Sequence, residues 1–255
     1  MLPTREYARE RVDFVVAGTQ KGGTTTLDSY LREHPLISMA ARKELHFFDT
    51  DENFCTDAVD YAGYHANFAA RSPMQLYGEC TPEYMYWEPA AARMASYNPA
   101  LKIIVILRNP ITRAYSHWNM DREKSREALP FLEAVQTEPE RARRVWPQQL
   151  RHRAFVHKGL YAHQLKRLWT FFPVEQTLIL RTEELQAAPN DALQRIADFL
   201  RLEPFPRVAP RTAYTFPYER EISPEEWQYL AGVFADDIRE LERLLGWDCS
   251  AWLDT

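Results

Sequence analysis

Apolar positions along the 255-residue chain alternate between short continuous runs and longer stretches with helical spacing. Residues 12–17 (VDFVVA) form a brief apolar run that leads into Gly18. Residues 101–107 (LKIIVIL) form a nearly unbroken one, rich in β-branched side chains. Runs of this length, apolar at successive positions, predict strands buried on both faces, as in a parallel sheet. Residues 75–79 and the stretch QTLILR supply two more strand candidates. Between them lie helical patterns. One covers 24–33 and stops at His34-Pro35; another covers 89–97; a third starts at Pro110. Leu160, Tyr161, Leu165, Leu168, Trp169 and Phe172 share one helical face before Pro173. Residues 190–202 are amphipathic. Residues 224–245 begin with a Ser223 cap, Pro224 and two acids, and end at Gly246.

Residues 125–153 are highly charged and poor in glycine, which predicts a peripheral helical segment, a lid or an insertion on the substrate side. ARKELHFFDTDENF reads as a polar, aromatic-rich loop, and the proline-rich stretch 203–220 as a loop without periodicity. Strands alternating with helices predict one α/β domain over 1–255, with a parallel sheet flanked by helices on both faces.

Composition narrows the function classes. A net charge of -5 excludes a general nucleic-acid or membrane-surface binder but leaves room for a local basic pocket. Cys55, Cys80 and Cys249 give neither a disulfide framework nor a zinc pattern. The first apolar run, preceded by REYARER, is too short to span a membrane or act as a signal segment. The expectation is a cytoplasmic protein with reduced thiols and no stable membrane insertion.

The candidate chemistry starts in FVVAGTQKGGTTTLDSYL, an apolar strand, a Gly-rich turn and a helix. The nucleotide-triphosphatase loop needs lysine directly after its last glycine, but Thr24 stands there and the lysine is Lys21. Gly22 and Gly23 let the backbone approach an anion. The helix start beyond them offers free amides, and Thr24, Thr25 and Thr26 offer hydroxyls. A magnesium-dependent triphosphatase places a carboxylate at the end of a neighbouring apolar strand. Here the best strand ends in Arg108, with Ser116 eight residues on. An arginine and a hydroxyl so placed can converge on a phosphate. The two segments describe a nucleotide held at two anionic points, with no metal site expected.

GTQKGGTTTL, followed by KELHFFD, GECTPEY and LKIIVILRNPITRAYSHW, resembles the sulfotransferases that use 3′-phosphoadenosine 5′-phosphosulfate (PAPS). The closest pattern is the heparan-sulfate type and its bacterial relatives. GLYAHQLKRLWTFFP, LILRTEELQAAP and LERLLGWDCSAW extend the likeness over most of the chain. The resemblance implies a P-loop-like fold and sulfuryl transfer to an acceptor hydroxyl. It matches the stretch from Lys21 to Thr26 to the loop holding the 5′-phosphosulfate, and Arg108 with Ser116 to the 3′-phosphate pair. It places Glu44 where such enzymes carry the catalytic base, with His46 two residues on in the same segment. An imidazole also suits proton transfer, so His46 is the alternative base, and Lys21 is the candidate cation for the charge on the leaving oxygen.

Two departures stand out. Such enzymes often have a lysine where this chain has Cys80; Lys43 is one substitute for that charge. The late basic cofactor loop has no clear copy, which leaves Arg211 and Arg220 as candidates. The alternatives are a P-loop kinase of small molecules and a non-catalytic nucleotide-binding protein on the same fold. For the acceptor, the basic cluster in 141–153 suits a glycan polyanion or a solvated face. The aromatics YMYW (84–87) suit a pocket or the core. A compact cytoplasmic chain favours a bacterial-type enzyme acting on a small molecule, lipid or natural product.

Overall fold

A computed structural model describes residues 11–55, 58–70, 72, 74–211, 218 and 220–254. Five strands form one parallel sheet: β1 (Phe14–Gly18), β2 (Ile37–Met39), β3 (Leu76–Cys80), β4 (Lys102–Leu107) and β5 (Thr177–Arg181). Their order is β2-β3-β1-β4-β5, and all four neighbouring pairs run parallel. The continuous apolar runs follow from this arrangement, because alternate residues of each strand enter different cores. Phe14, Val16, Ile104, Ile106 and Leu180 pack on one face; Val15, Ala17, Ile103, Val105 and Leu107 pack on the other.

The first face is covered by α1 (Thr24–Leu31) and α8 (Pro189–Leu200), through Leu27, Leu31, Leu193 and Ile196. The other carries α2 (Tyr61–His65), α3 (Glu88–Tyr97), α4 (Pro110–Glu123), α5 (Phe131–Val145), α6 (Tyr161–Trp169) and α9 (Pro224–Leu245). The short α7 (Thr182–Ala187) links β5 to α8. The long α9 keeps its expected ends: the Ser223 hydroxyl accepts from the Glu226 amide, and Gly246 closes the helix at φ 65°.

Three expectations differ from the structure. β2 is only three residues long and carried no readable period. Within 125–153 only Phe131–Val145 is helical, and the rest is mostly irregular. Nor is the segment wholly peripheral, since its two ends reach the cleft described below. Of the proline-rich loop, residues 212–217 and 219 lie outside the described residues.

The chain runs from central β1 to β2 and β3 on one side, then to β4 and β5 on the other. That reversal opens a crevice beyond the strands' carboxyl ends, where open α/β sheets bind ligands.

Candidate active site

A cleft of about 900 Å³ lies there. Each strand contributes to it: Gln20, Lys21 and 23–26 after β1, Lys43–Glu44 and His46 after β2, and Glu83 and Trp87 after β3. Ser116, Met120 and Lys124 come after β4, and Gln186 after β5.

The loop after β1 is built backbone-first. Gly22 donates to the Thr19 carbonyl, Thr19 donates to the Ile106 carbonyl, and the Thr182 hydroxyl donates to the Gly22 carbonyl. A Cβ on Gly22 would stand 2.7 Å from the Ile106 carbonyl oxygen, so the loop has room only for glycine. Gly23 then caps α1 at φ 99°, a conformation that glycine adopts without strain. Gly23, as the N-cap, brings no side chain of its own, and no acid sits in the first turn. A helix start of this kind can offer its leading amides to an anion. Burial, with the facing charges of Arg108 and Lys124, pushes the Lys21 ammonium below the usual lysine range.

Arg108 lies behind this loop. Its guanidinium donates to the Thr112 hydroxyl (3.0 Å) and reaches the Lys21 carbonyl (3.4 Å), while Ser116 opens on the cleft from α4. Arg211 and Arg220 are not brought to the cleft. Arg211 pairs with Glu33 and stacks on Tyr30; Arg220 pairs with Glu226 beside Tyr115.

The second loop, 43–50, hangs on the end of β3 through a bond from the Glu44 amide to the Cys80 carbonyl (2.9 Å). Phe47 and Phe48 anchor it in an aromatic cluster with Tyr64 and Tyr84, and the Tyr84 hydroxyl takes the Phe47 amide proton. This anchoring holds Glu44 (φ 62°) and His46 (φ 54°) in left-handed conformations costly to non-glycine residues. Lys21 shares that conformation at φ 68°. Such strain concentrates where side chains must be aimed.

The side chains form a chain of charge. Lys43 Nζ is 2.5 Å from Glu44 Oε1; His46 Nε2 faces Glu44 Oε2 at 3.7 Å; His46 Nδ1 is 2.8 Å from Asp49, which Arg151 also grips. His46 and Lys43 together hold the Glu44 carboxyl down at about 2. Asp49 first, then Glu44, raises His46 to about 9. At neutral pH the segment thus presents a carboxylate beside an imidazolium. Burial pushes the Cys80 thiol up to about 12, so it stays protonated and is no nucleophile. Among the described residues, no three His, Cys, Asp or Glu side chains gather closely enough to hold a metal ion.

Beneath the cleft sits a buried cation that sequence reading did not single out. Lys158 has three acceptors for its three N–H groups: the Glu83 carboxylate (2.8 Å), the Gln20 amide oxygen (3.0 Å) and the Arg151 carbonyl (2.7 Å). It joins the anion loop to the turn after β3. Of the YMYW aromatics, Trp87 faces the cleft with the Arg151 guanidinium 4.3 Å from its ring, while Tyr84, Met85 and Tyr86 fill the core. Arg126 and His152, 3.3 Å apart, also line the cleft.

A glycine-rich loop without the triphosphatase lysine, sharing a cleft with a carboxylate–imidazole pair at the carboxyl ends of a β1-centred parallel sheet, is the frame of a P-loop-like fold. Residues 11–209 match the sulfotransferase domain family, and the chain belongs to that family. It is 30% identical over 193 residues to mouse heparan sulfate glucosamine 3-O-sulfotransferase 5, covering 74% of this chain and 53% of that one. It is 32% identical over 189 residues to the mouse 3-O-sulfotransferase 6, covering 74% and 52%. The chain thus spans about half the length of these curated relatives. A solved sulfotransferase from Alicyclobacillus acidocaldarius superposes with a TM-score of 0.79 at 30% identity, over 95% of this chain and 98% of that one. The fold is also that of mouse SULT7A1, solved with PAP (TM-score 0.57, 14% identity, 93% and 88% covered).

Proposed function

We propose that the protein transfers a sulfuryl group from PAPS to an acceptor hydroxyl. One observation carries this reading: the uncapped start of α1 with Lys21, and the strained Glu44–His46 segment, open on the same cleft. The backbone of 22–26 and Lys21 hold the 5′-phosphosulfate, and Arg108 with Ser116 the 3′-phosphate. PAPS supplies an activated sulfuryl group whose leaving group is a phosphate oxygen. Lys21 neutralises the charge that builds on that oxygen. Glu44 takes the acceptor proton. His46, a cation at neutral pH through Asp49 and Glu44, orients Glu44 instead of acting as base. No helix among the described residues is long and apolar enough to cross a membrane. Three free thiols support a cytoplasmic setting. Helix α9, beyond the family match, packs on α6 and α4, which supports reading the chain as one domain.

The family assignment sets the kinase reading aside. For the acceptor, Trp87 with Arg151 over its ring, in a cleft also lined by Arg126 and His152, suits a ring bearing both a hydroxyl and an anionic group, in a glycan or a small molecule. Arg141 and Arg144 of the basic cluster are turned to Glu127 and Glu140.

Calorimetry with PAP and adenosine 5′-phosphate tests the donor site. PAP should bind at least tenfold more tightly; equal affinities would remove Arg108 and Ser116 from the 3′-phosphate role. Acceptor screening with labelled PAPS tests the base. Glu44→Gln should lower turnover about a hundredfold or more with PAP affinity unchanged, and undiminished turnover would move the role elsewhere.

A further inference from the structure

Cys80 ends β3 with a small, buried, protonated side chain whose sulfur lies 3.6 Å from the Thr24 carbonyl, under the first turn of α1. The Glu44–Cys80 backbone bond brings the next loop across this strand end. Lys43, mostly buried, lines the same cleft as Lys21 and the α1 amides. The groups facing its ammonium are Cys80 from β3, Glu44 from its own loop and Asp28 from α1. Asp28 is already gripped by Arg32 through two hydrogen bonds, at 2.8 and 3.3 Å. Burial works against the Lys43 charge, the Glu44 and Asp28 carboxylates favour it, and the protonated Cys80 thiol beside it adds no charge. Its one direct ionic partner among the described residues is Glu44.

We propose that Lys43 is the second cation of the transfer site and that its ion pair with Glu44 is a latch opened by the donor. Without donor, Lys43 neutralises Glu44. When the sulfonate arrives, its oxygens compete for the ammonium, and Lys43 turns from Glu44 to them. This does two things at once. It stabilises negative charge on the sulfuryl oxygens, and it removes one of the two partners that hold the Glu44 carboxyl down, leaving His46 as the other. In the transfer, the acceptor oxygen bonds to sulfur and its proton passes to Glu44. The bond from sulfur to the 5′-phosphate oxygen breaks, and its electron pair leaves with PAP. The proposal rests on the sulfuryl-transfer reading; its proton step also uses Glu44 as base, but the ion-pair switch itself is read by binding alone.

The test measures PAPS and PAP affinities by calorimetry, without acceptor, for wild type, Lys43→Met, Lys43→Arg, Glu44→Gln and the Lys43→Met/Glu44→Gln double variant. PAP lacks the sulfonate, so Lys43→Met should change PAP affinity less than about threefold. This also shows that the variant is folded. PAPS affinity should fall about tenfold, the worth of one charge-assisted hydrogen bond after the lost Glu44 contact is offset. Lys43→Arg should keep PAPS affinity within about threefold of wild type. Glu44→Gln should tighten PAPS severalfold because the latch no longer holds Lys43, and this gain should shrink when Lys43 is absent. Equal losses for PAPS and PAP in Lys43→Met would make Lys43 an ordinary phosphate contact and overturn the proposal. So would unchanged PAPS affinity, or a Glu44→Gln gain that is independent of Lys43. Failure of the base reading appears separately, as undiminished turnover in Glu44→Gln.

Discussion

Replacing Lys158 by methionine keeps the length of the side chain and removes its charge at one of the most enclosed points of the molecule. The Lys158 and Glu83 side chains are 1% and 4% exposed, and the ammonium has its full set of three acceptors. Lys158→Met therefore strands a buried carboxylate and leaves the Gln20 and Arg151 oxygens without that donor. Breaking one half of a buried, hydrogen-bonded pair costs about 3–5 kcal/mol. For a protein of this size that corresponds to a fall in Tm of about 6–20 °C. Removing both charges, in Lys158→Met/Glu83→Gln, should recover most of the loss, because desolvation of the pair offsets much of its attraction. A double-mutant cycle by urea unfolding should thus give a coupling energy of about 2–4 kcal/mol. PAP affinity gives a second reading, since Gln20 precedes Lys21 in the anion loop: the single variant should bind PAP more weakly, and the double should lie nearer wild type. A single-variant loss below about 1 kcal/mol, or single losses that simply add, would refute the claim that this pair fixes the floor of the cleft.

His46 should titrate near 9 by NMR, and both Asp49→Asn and Glu44→Gln should lower that value; a wild-type value of 6–7 would contradict the charge chain. Because this lies above the ordinary 6.5, the protonated ring adds stability that is fully present below about 6.5 and is lost as pH rises through about 9. Glu79 shows the same sign lower on the scale. Burial outweighs its three hydroxyl donors, Tyr64, Thr81 and Tyr84, and lifts its carboxyl from 4.5 to about 7. Stability followed by denaturant titration should fall by up to about 3 kcal/mol between those pH values and level off above them, and Glu79→Gln should remove the slope. Gly22→Ala should weaken PAP binding at least a hundredfold in calorimetry, because its methyl must displace the Ile106 carbonyl or Thr19.

What could be read from the chain, and what could not, divides by range. β1 and β4 were legible because burial on both faces leaves no polar positions to confuse the pattern. β2, Ile37-Ser38-Met39, is shorter than any period and exists because Leu76, Tyr77 and Gly78 are there to pair with it. The stretch after α5 looked helical because charge without glycine is ordinary for a surface helix. Its actual course is fixed by carboxylates distant in sequence: Asp121 takes the Arg153 amide, and Glu138 takes those of Val156 and His157. The site divides in the same way. The proposed anion loop and the proposed base segment are each contiguous in sequence, so a short motif covers each. Lys158 looks like any solvated lysine ahead of a helix, since Gln20 is 138 residues away and Glu83 is 75. The available signal was indirect: Gln20 adjoins Lys21, and Glu83 lies inside GECTPEY. Neighbours of suspected site residues need partners once buried, and a lone lysine can satisfy two of them. The strain at Glu44 and His46 is likewise invisible locally. Left-handed glutamate and histidine persist only because the end of β3 and the Phe47–Phe48 cluster overdetermine the loop. The residue types proposed for the chemistry are read from short motifs, but their aim is a property of the sheet and aromatic core behind them.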